Sequence, residues 1–141
     1  SLGSSGVNYP VASIRLKSTN TDAVVIPVGI NILGITNNSN YRWSIVKNGT
    51  TSGGTWSDLG STSSVQYNLS GTSFSGGNVL AQGYVVGSNQ GSTATAVDRT
   101  NLFKFQLERE PFTSTSYELT VVVNADSGSS NVVAALDWEE V

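Results

Sequence analysis

Histidine, cysteine and methionine are all missing from this chain of 141 residues. Histidine is the usual general base at neutral pH and a common metal ligand, and cysteine is the usual thiol nucleophile and soft ligand. Without them, most catalytic and metal chemistries are closed before any motif is sought. No disulfide can form, so cysteine usage gives no reading of the redox compartment. Charge is scarce as well: 12% of residues are charged and the net charge is −3, about half the usual charged share. No basic patch is present to neutralise phosphates, which argues against nucleic acid as a partner. No stretch reaches the ~20 apolar residues of a membrane-spanning helix. The longest apolar run, residues 23–35, is interrupted by Pro27, Gly29, Asn31 and Gly34.

What remains is serine, threonine, asparagine and glycine between short apolar segments. A hydrophobic share of 38% with so little charge is the composition of a folded chain rather than a disordered one. The length fits one domain. Ser1-Leu2-Gly3-Ser4-Ser5-Gly6 reads as a linker, so residues 1–10 are expected to form an N-terminal tether and residues 11–141 the folded domain. On that reading, attachment to an upstream segment is an expectation.

Period-two alternation recurs along the chain and predicts strands. Ile14 and Leu16 alternate with Ser13, Arg15 and Lys17. Tyr41, Trp43 and Ile45 alternate with Arg42, Ser44 and Val46. Val65, Tyr67 and Leu69 are expected to point inward, as are Phe103, Phe105 and Leu107. Tyr117, Leu119, Val121 and Val123 give the strongest strand, and Val132, Ala134, Leu136 and Trp138 the last. Residues 23–35 predict two strands or one bent strand, kinked near Pro27 and Gly29. Ser52-Gly53-Gly54 and Ser75-Gly76-Gly77 read as hairpin turns. Residues 94–101 have a helix-like composition but are short and rich in threonine. Eight or nine short strands without a convincing helix predict an all-β fold, a single β-sandwich with the jelly roll among its architectures.

Candidate chemistry is sparse. Asp137, Glu139 and Glu140 are the only acid cluster that invites a glycosidase reading, yet Asp137 and Glu139 fall on the solvent phase of a strand, where edge charges discourage aggregation. Glu108-Arg109-Glu110 reads as a polar strand end, and Asp126-Ser127-Gly128 as a turn. Serine has no histidine to activate it and no nucleophile elbow. The glycine-rich segments lack the lysine and helix of a phosphate loop. No catalytic, cofactor or metal residue is expected. Trp56, in loop-like sequence beside Asp58, suits three roles: stacking on a sugar, anchoring an interface, or capping the end of the core. Tyr84 is ambiguous in the same way, whereas Trp43 and Trp138 fall in phase with core positions. Trp56, Tyr84 and Asp58 are therefore the interface or ligand candidates.

One succession of segments carries a resemblance. Tyr41-Arg42-Trp43-Ser44-Ile45-Val46-Lys47-Asn48 is followed by Gly54-Thr55-Trp56 and Ser63-Ser64-Val65-Gln66-Tyr67. Gly76-Gly77-Asn78-Val79-Leu80-Ala81-Gln82-Gly83-Tyr84 comes next, and Leu136-Asp137-Trp138-Glu139-Glu140 closes the chain. From residue 14 to residue 140 this resembles a β-domain of virion structural proteins in tailed bacteriophages. Asn48-Gly49-Thr50 stands where that family has Asn-Pro-Thr. The resemblance implies a non-enzymatic component of an extracellular particle, a capsid decoration or fibre module. Its partners would be other virion proteins and further copies of itself, a trimer being the expected homo-oligomer. The alternative from a different class is a carbohydrate-binding module that takes a host glycan on Trp56.

Overall fold

A computed structural model describes residues 6–19, 24–34, 40–88, 91–92, 94–97, 106–126 and 132–140. The described elements are ten strands: β1 Tyr9–Leu16, β2 Val25–Gly34, β3 Asn40–Ser52, β4 Ser57–Asp58, β5 Val65–Asn68, β6 Ser73–Ser88, β7 Gly91–Ser92, β8 Ala94–Val97, β9 Glu118–Ala125 and β10 Val132–Glu140. The chain is all-β, as its alternation predicts. Seven strands form one sheet in the order β4-β5-β1-β9-β3-β6-β7, and three form a second in the order β10-β2-β8. Every pairing is antiparallel. β1 starts at Tyr9, inside the stretch read as a tether, and the Gly6 N–H already bonds the Ala125 carbonyl at 3.0 Å.

Registry explains the core. Ile14 lies opposite Leu119 and Tyr67, Trp43 opposite Val123 and Gly83, and Ile45 opposite Val121 and Ala81. One face of the large sheet is thus a continuous apolar surface, and a cross-strand pair is the unit that stabilises it. Val25 of β2 is fully buried in this cluster, and Val132, Ala134, Leu136 and Trp138 of β10 pack against it. The inward side of β10 and the start of β2 therefore lie on this apolar cluster. Glycine at position 83 is a packing requirement: a β-carbon there would stand 2.7 Å from the Trp43 ring. The bend expected in residues 23–35 is a single strand with a register shift between its Pro27 and Gly29 pairings.

Residues 94–97, within the stretch too short and threonine-rich for a helix, form β8. Two expectations shift. Gly76 and Gly77 do not make a hairpin turn; they lie inside β6, at φ 71° and 86°, where the ladder passes the irregular Asn48. Leu69 falls just past the end of β5 and is 66% exposed instead of pointing inward. Phe103 and Phe105 lie outside the described residues.

Between β3 and β6 the chain leaves the ladder, carries β4 and β5 to the far edge of the sheet, and returns. The Thr72 N–H bonds the Ser52 carbonyl at 2.9 Å and closes the base of this excursion. Asn68, 1% exposed, staples it: its amide donates to the Gly53 carbonyl at 3.1 Å, and its oxygen accepts the Ser70 N–H at 2.9 Å. The end of β3 consequently lies against the second face of β1 and β9. Ser13, Thr51 and Thr120, all buried, meet there in a ring of hydroxyls, with oxygen separations of 2.7, 3.0 and 3.4 Å. The Glu118 carboxylate accepts the Thr51 N–H at 2.7 Å beside them.

Candidate functional site

Two of the three sequence candidates come together at the β1–β5–β4 edge. Gly53 and Gly54, at φ 75° and 69°, turn the chain out of β3 and deliver Trp56 to the start of β4. β4 pairs Asp58 with Gln66 of β5, and β5 pairs Gln66 with Arg15 of β1. The side chains follow that ladder. The Arg15 guanidinium stands 4.1 Å from the centre of the Trp56 ring, a cation–π contact. Arg15 Nε donates to Gln66 Oε1 at 2.9 Å, and Gln66 Nε2 donates to Asp58 Oδ1 at 2.9 Å. Lys17 Nζ donates to the Gly60 carbonyl at 2.7 Å and lies 3.8 Å from Asp58 Oδ2. Burial lowers the proton affinity of Arg15, and the Glu118 charge opposes the shift. Arginine stays cationic under any such shift, so the group is a chain of matched charges and dipoles that runs from Trp56 through Arg15, Gln66 and Asp58 to Lys17.

Trp56 is half-buried here, with Arg15 on its ring. Tyr84 is elsewhere: two strands, β9 and β3, separate its β6 from β1. It lies opposite Arg42 and is 68% exposed. Asp137, Glu139 and Glu140 are all exposed on β10, and Glu140 also ties β10 to the residues just before β5. Its carboxylate accepts the Ser63 hydroxyl, the Ser64 N–H at 3.0 Å and Trp138 Nε1–H at 3.2 Å. Burial pushes the Glu140 carboxyl up, but those hydrogen bonds and the Lys17 charge hold it below the usual carboxylate range.

A feature the alternation did not flag lies between residue 106 and β9. Residues 108–117 form a tight hairpin, bridged at Arg109 and Ser116. The Tyr117 N–H bonds the Glu108 carbonyl, and the Glu110 N–H bonds that of Thr115. Arg109 and the Ser116 hydroxyl fix the hairpin to the Lys17 and Leu16 carbonyls at the end of β1. Glu108 pairs with Lys47 at 2.9 Å. Glu108 and Arg109 therefore belong to the scaffold. Phe112, at the tip, is 95% exposed. A lone apolar residue between proline and threonine has no period, so alternation could not find it.

Hollows flank these elements. One, of about 630 Å³, is lined by Asn48, Gln106, Glu108, Arg109 and Tyr117 among others, and Asn48, at φ 63°, holds a buried side-chain oxygen without a hydrogen-bond partner. Another, of about 300 Å³, lies between Arg15, Gln66 and the hairpin residues Arg109 and Ser116. A further one is an apolar cleft of about 290 Å³ between β1, β5 and β10. Among the described residues no group of three or more histidine, cysteine, aspartate or glutamate side chains can hold a metal ion, and no helix is long and apolar enough to cross a membrane. Comparison with family models, curated proteins and solved structures finds no match to this chain.

Proposed function

We propose that the chain is a non-enzymatic structural module of a tailed-phage particle, a capsid decoration or fibre domain that assembles through strand edges and exposed aromatic side chains. In this reading the two sheets form a β-sandwich closed by the Glu140 tether. The observation that carries it is the display of large apolar side chains on ordered backbone. Tyr84 stands on the long β3–β6 ladder, and Phe112 on a hairpin bonded to β1. Rigid exposed aromatics are the usual anchors of protein interfaces. The resemblance from residue 14 to residue 140 supplies the particle. Counting copies of the chain by quantitative mass spectrometry of purified particles tests the reading. Hundreds of copies fit a capsid-lattice role and a small multiple of three or six a fibre or tail role. Absence from particles overturns it.

A glycan-binding role has one observation in its favour: Asp58, Gln66 and Arg15 place hydrogen-bonding groups beside Trp56. Arg15, however, occupies a face of the indole that a sugar would use. Tryptophan fluorescence titrated with a panel of host glycans separates the two readings. A saturable shift supports the sugar site, and no response supports assembly.

A further inference from the structure

Phe112 is held as a knob. Pro111 fixes φ at the start of the turn, and the Glu110 carboxylate accepts the Phe112 N–H at 3.1 Å, the Thr113 N–H at 2.6 Å and the Thr113 hydroxyl at 2.6 Å. The Ser114 N–H closes on the Glu110 carbonyl at 2.9 Å, with Ser114 itself at φ 58°. A tip tied by this many bonds has already lost its conformational freedom on folding, so docking it costs little further ordering. Exposing a phenylalanine almost completely gains the folded monomer nothing.

The apolar cleft is a hole of matching chemistry. Leu59, Tyr67, Leu69, Ala134, Leu136 and Trp138 line it, with Leu59 50% and Leu69 66% exposed at the rim. A dry cavity of ~150 Å³ admits benzene, so about 290 Å³ has room for a phenyl ring. The cleft opens where both sheets end. β10 is the outer strand of the small sheet, and only the two-residue β4 lies beyond β5. The hairpin that carries Phe112 is fixed at the Lys17 end of β1 instead, so knob and hole are separate surfaces.

We propose that Phe112 of one copy enters this cleft on a second copy of the chain, giving a head-to-tail contact between unlike surfaces. Such a contact closes into a ring, a trimer among the options, or runs on as a fibre. Self-association is favoured as the occupant because one chain carries both complementary halves, and a net charge of −3 offers little repulsion between copies. One phenylalanine buries about 150–250 Å², well below the ~1,200 Å² of a free-standing interface. The contact is accordingly weak between two free copies and strengthens when a ring or a particle surface raises the effective concentration. The inference rests on the assembly reading and specifies its contact.

Sedimentation velocity at protein concentrations up to about 1 mM tests it with the whole chain, Phe112→Ser and Leu69→Lys. Both positions are exposed, and unchanged circular dichroism and melting temperature confirm folding. The wild type is expected to associate with rising concentration, and each variant alone to stay monomeric. An equimolar mixture of the two variants is expected to form dimers and nothing larger, because only one intact knob and one intact cleft remain. A monomeric wild type, a variant that associates like the wild type, or a mixture without dimers overturns the knob-and-cleft contact. If the wild type is monomeric yet Phe112→Ser loses attachment to particles, the knob serves a different virion protein: self-association fails while the assembly reading stands.

Discussion

The two faces of the large sheet are both buried where Ser13 of β1 meets Thr120 of β9, but with different chemistry. One face packs Ile14, Trp43, Ile45, Val121 and Val123 with Val25 of β2 and the inward side of β10. The other presents Ser13 and Thr120, each 0% exposed, to Thr51 from the end of β3. The first is held by the removal of apolar surface from water, a non-directional force that tolerates approximate fit. The second gains only where each hydroxyl finds its partner, since a buried polar group without one is costly. The apolar face supplies most of the stability. The polar face fixes where the excursion between β3 and β6 lands, and so where Trp56 and Asp58 meet Arg15.

The difference between the faces is sharpest at the core. Ile45→Ala is expected to lower the unfolding free energy by about 2–5 kcal/mol, read from urea denaturation. On the polar face, Thr120→Val keeps the shape but strips a hydroxyl from the ring, and should cost about 1–3 kcal/mol. A double-mutant cycle with Ser13→Ala should show coupling. A neutral Thr120→Val with no coupling would mean that the second face is simply solvated, and the comparison would collapse. Arg15→Met retains much of the apolar stem and removes the cation over Trp56. About 0.5–1 kcal/mol is expected for that contact, together with a changed Trp56 emission.

The smallest effect is that of pH on the Glu140 tether. Its folded-state pKa is lowered, so its contribution is fully present above the unfolded value and is lost as pH falls through the folded one. Acid titration of the wild type should therefore show a small loss of stability across the carboxylate range, reduced in Glu140→Gln. Equal acid sensitivity in both proteins would remove Glu140 as the tether.

Much of this architecture was legible from alternation. Tyr41, Trp43 and Ile45, the apolar side of β9, and Leu136 and Trp138 on β10 occupy the faces that period two assigns them. Alternation cannot say what covers the polar side: it puts Ser13 in the polar phase of its strand, and nothing in the pattern marks Ser13, Thr51 or Thr120 as buried. Gly76-Gly77 has the composition of a turn yet lies within β6, because positive φ serves turns and bulges alike. Leu69 was misplaced because the Asn68 side chain ends β5 by bonding the Gly53 carbonyl and the Ser70 N–H. Of the site candidates, Trp56 and Asp58 share one group while Tyr84 stands apart, a grouping set by strand order. Phe112 gave no periodic signal at all; its prominence comes from hydrogen bonds around Glu110.

Hydrogen exchange on the chain, free and mounted on purified particles, tests the assembly account most directly. The expected result is added protection on the particle at the edge of β10 and around the 110–115 turn, with β9, buried in both states, unchanged. Identical exchange in the two states, or protection confined to other surfaces, would contradict an assembly role for these elements.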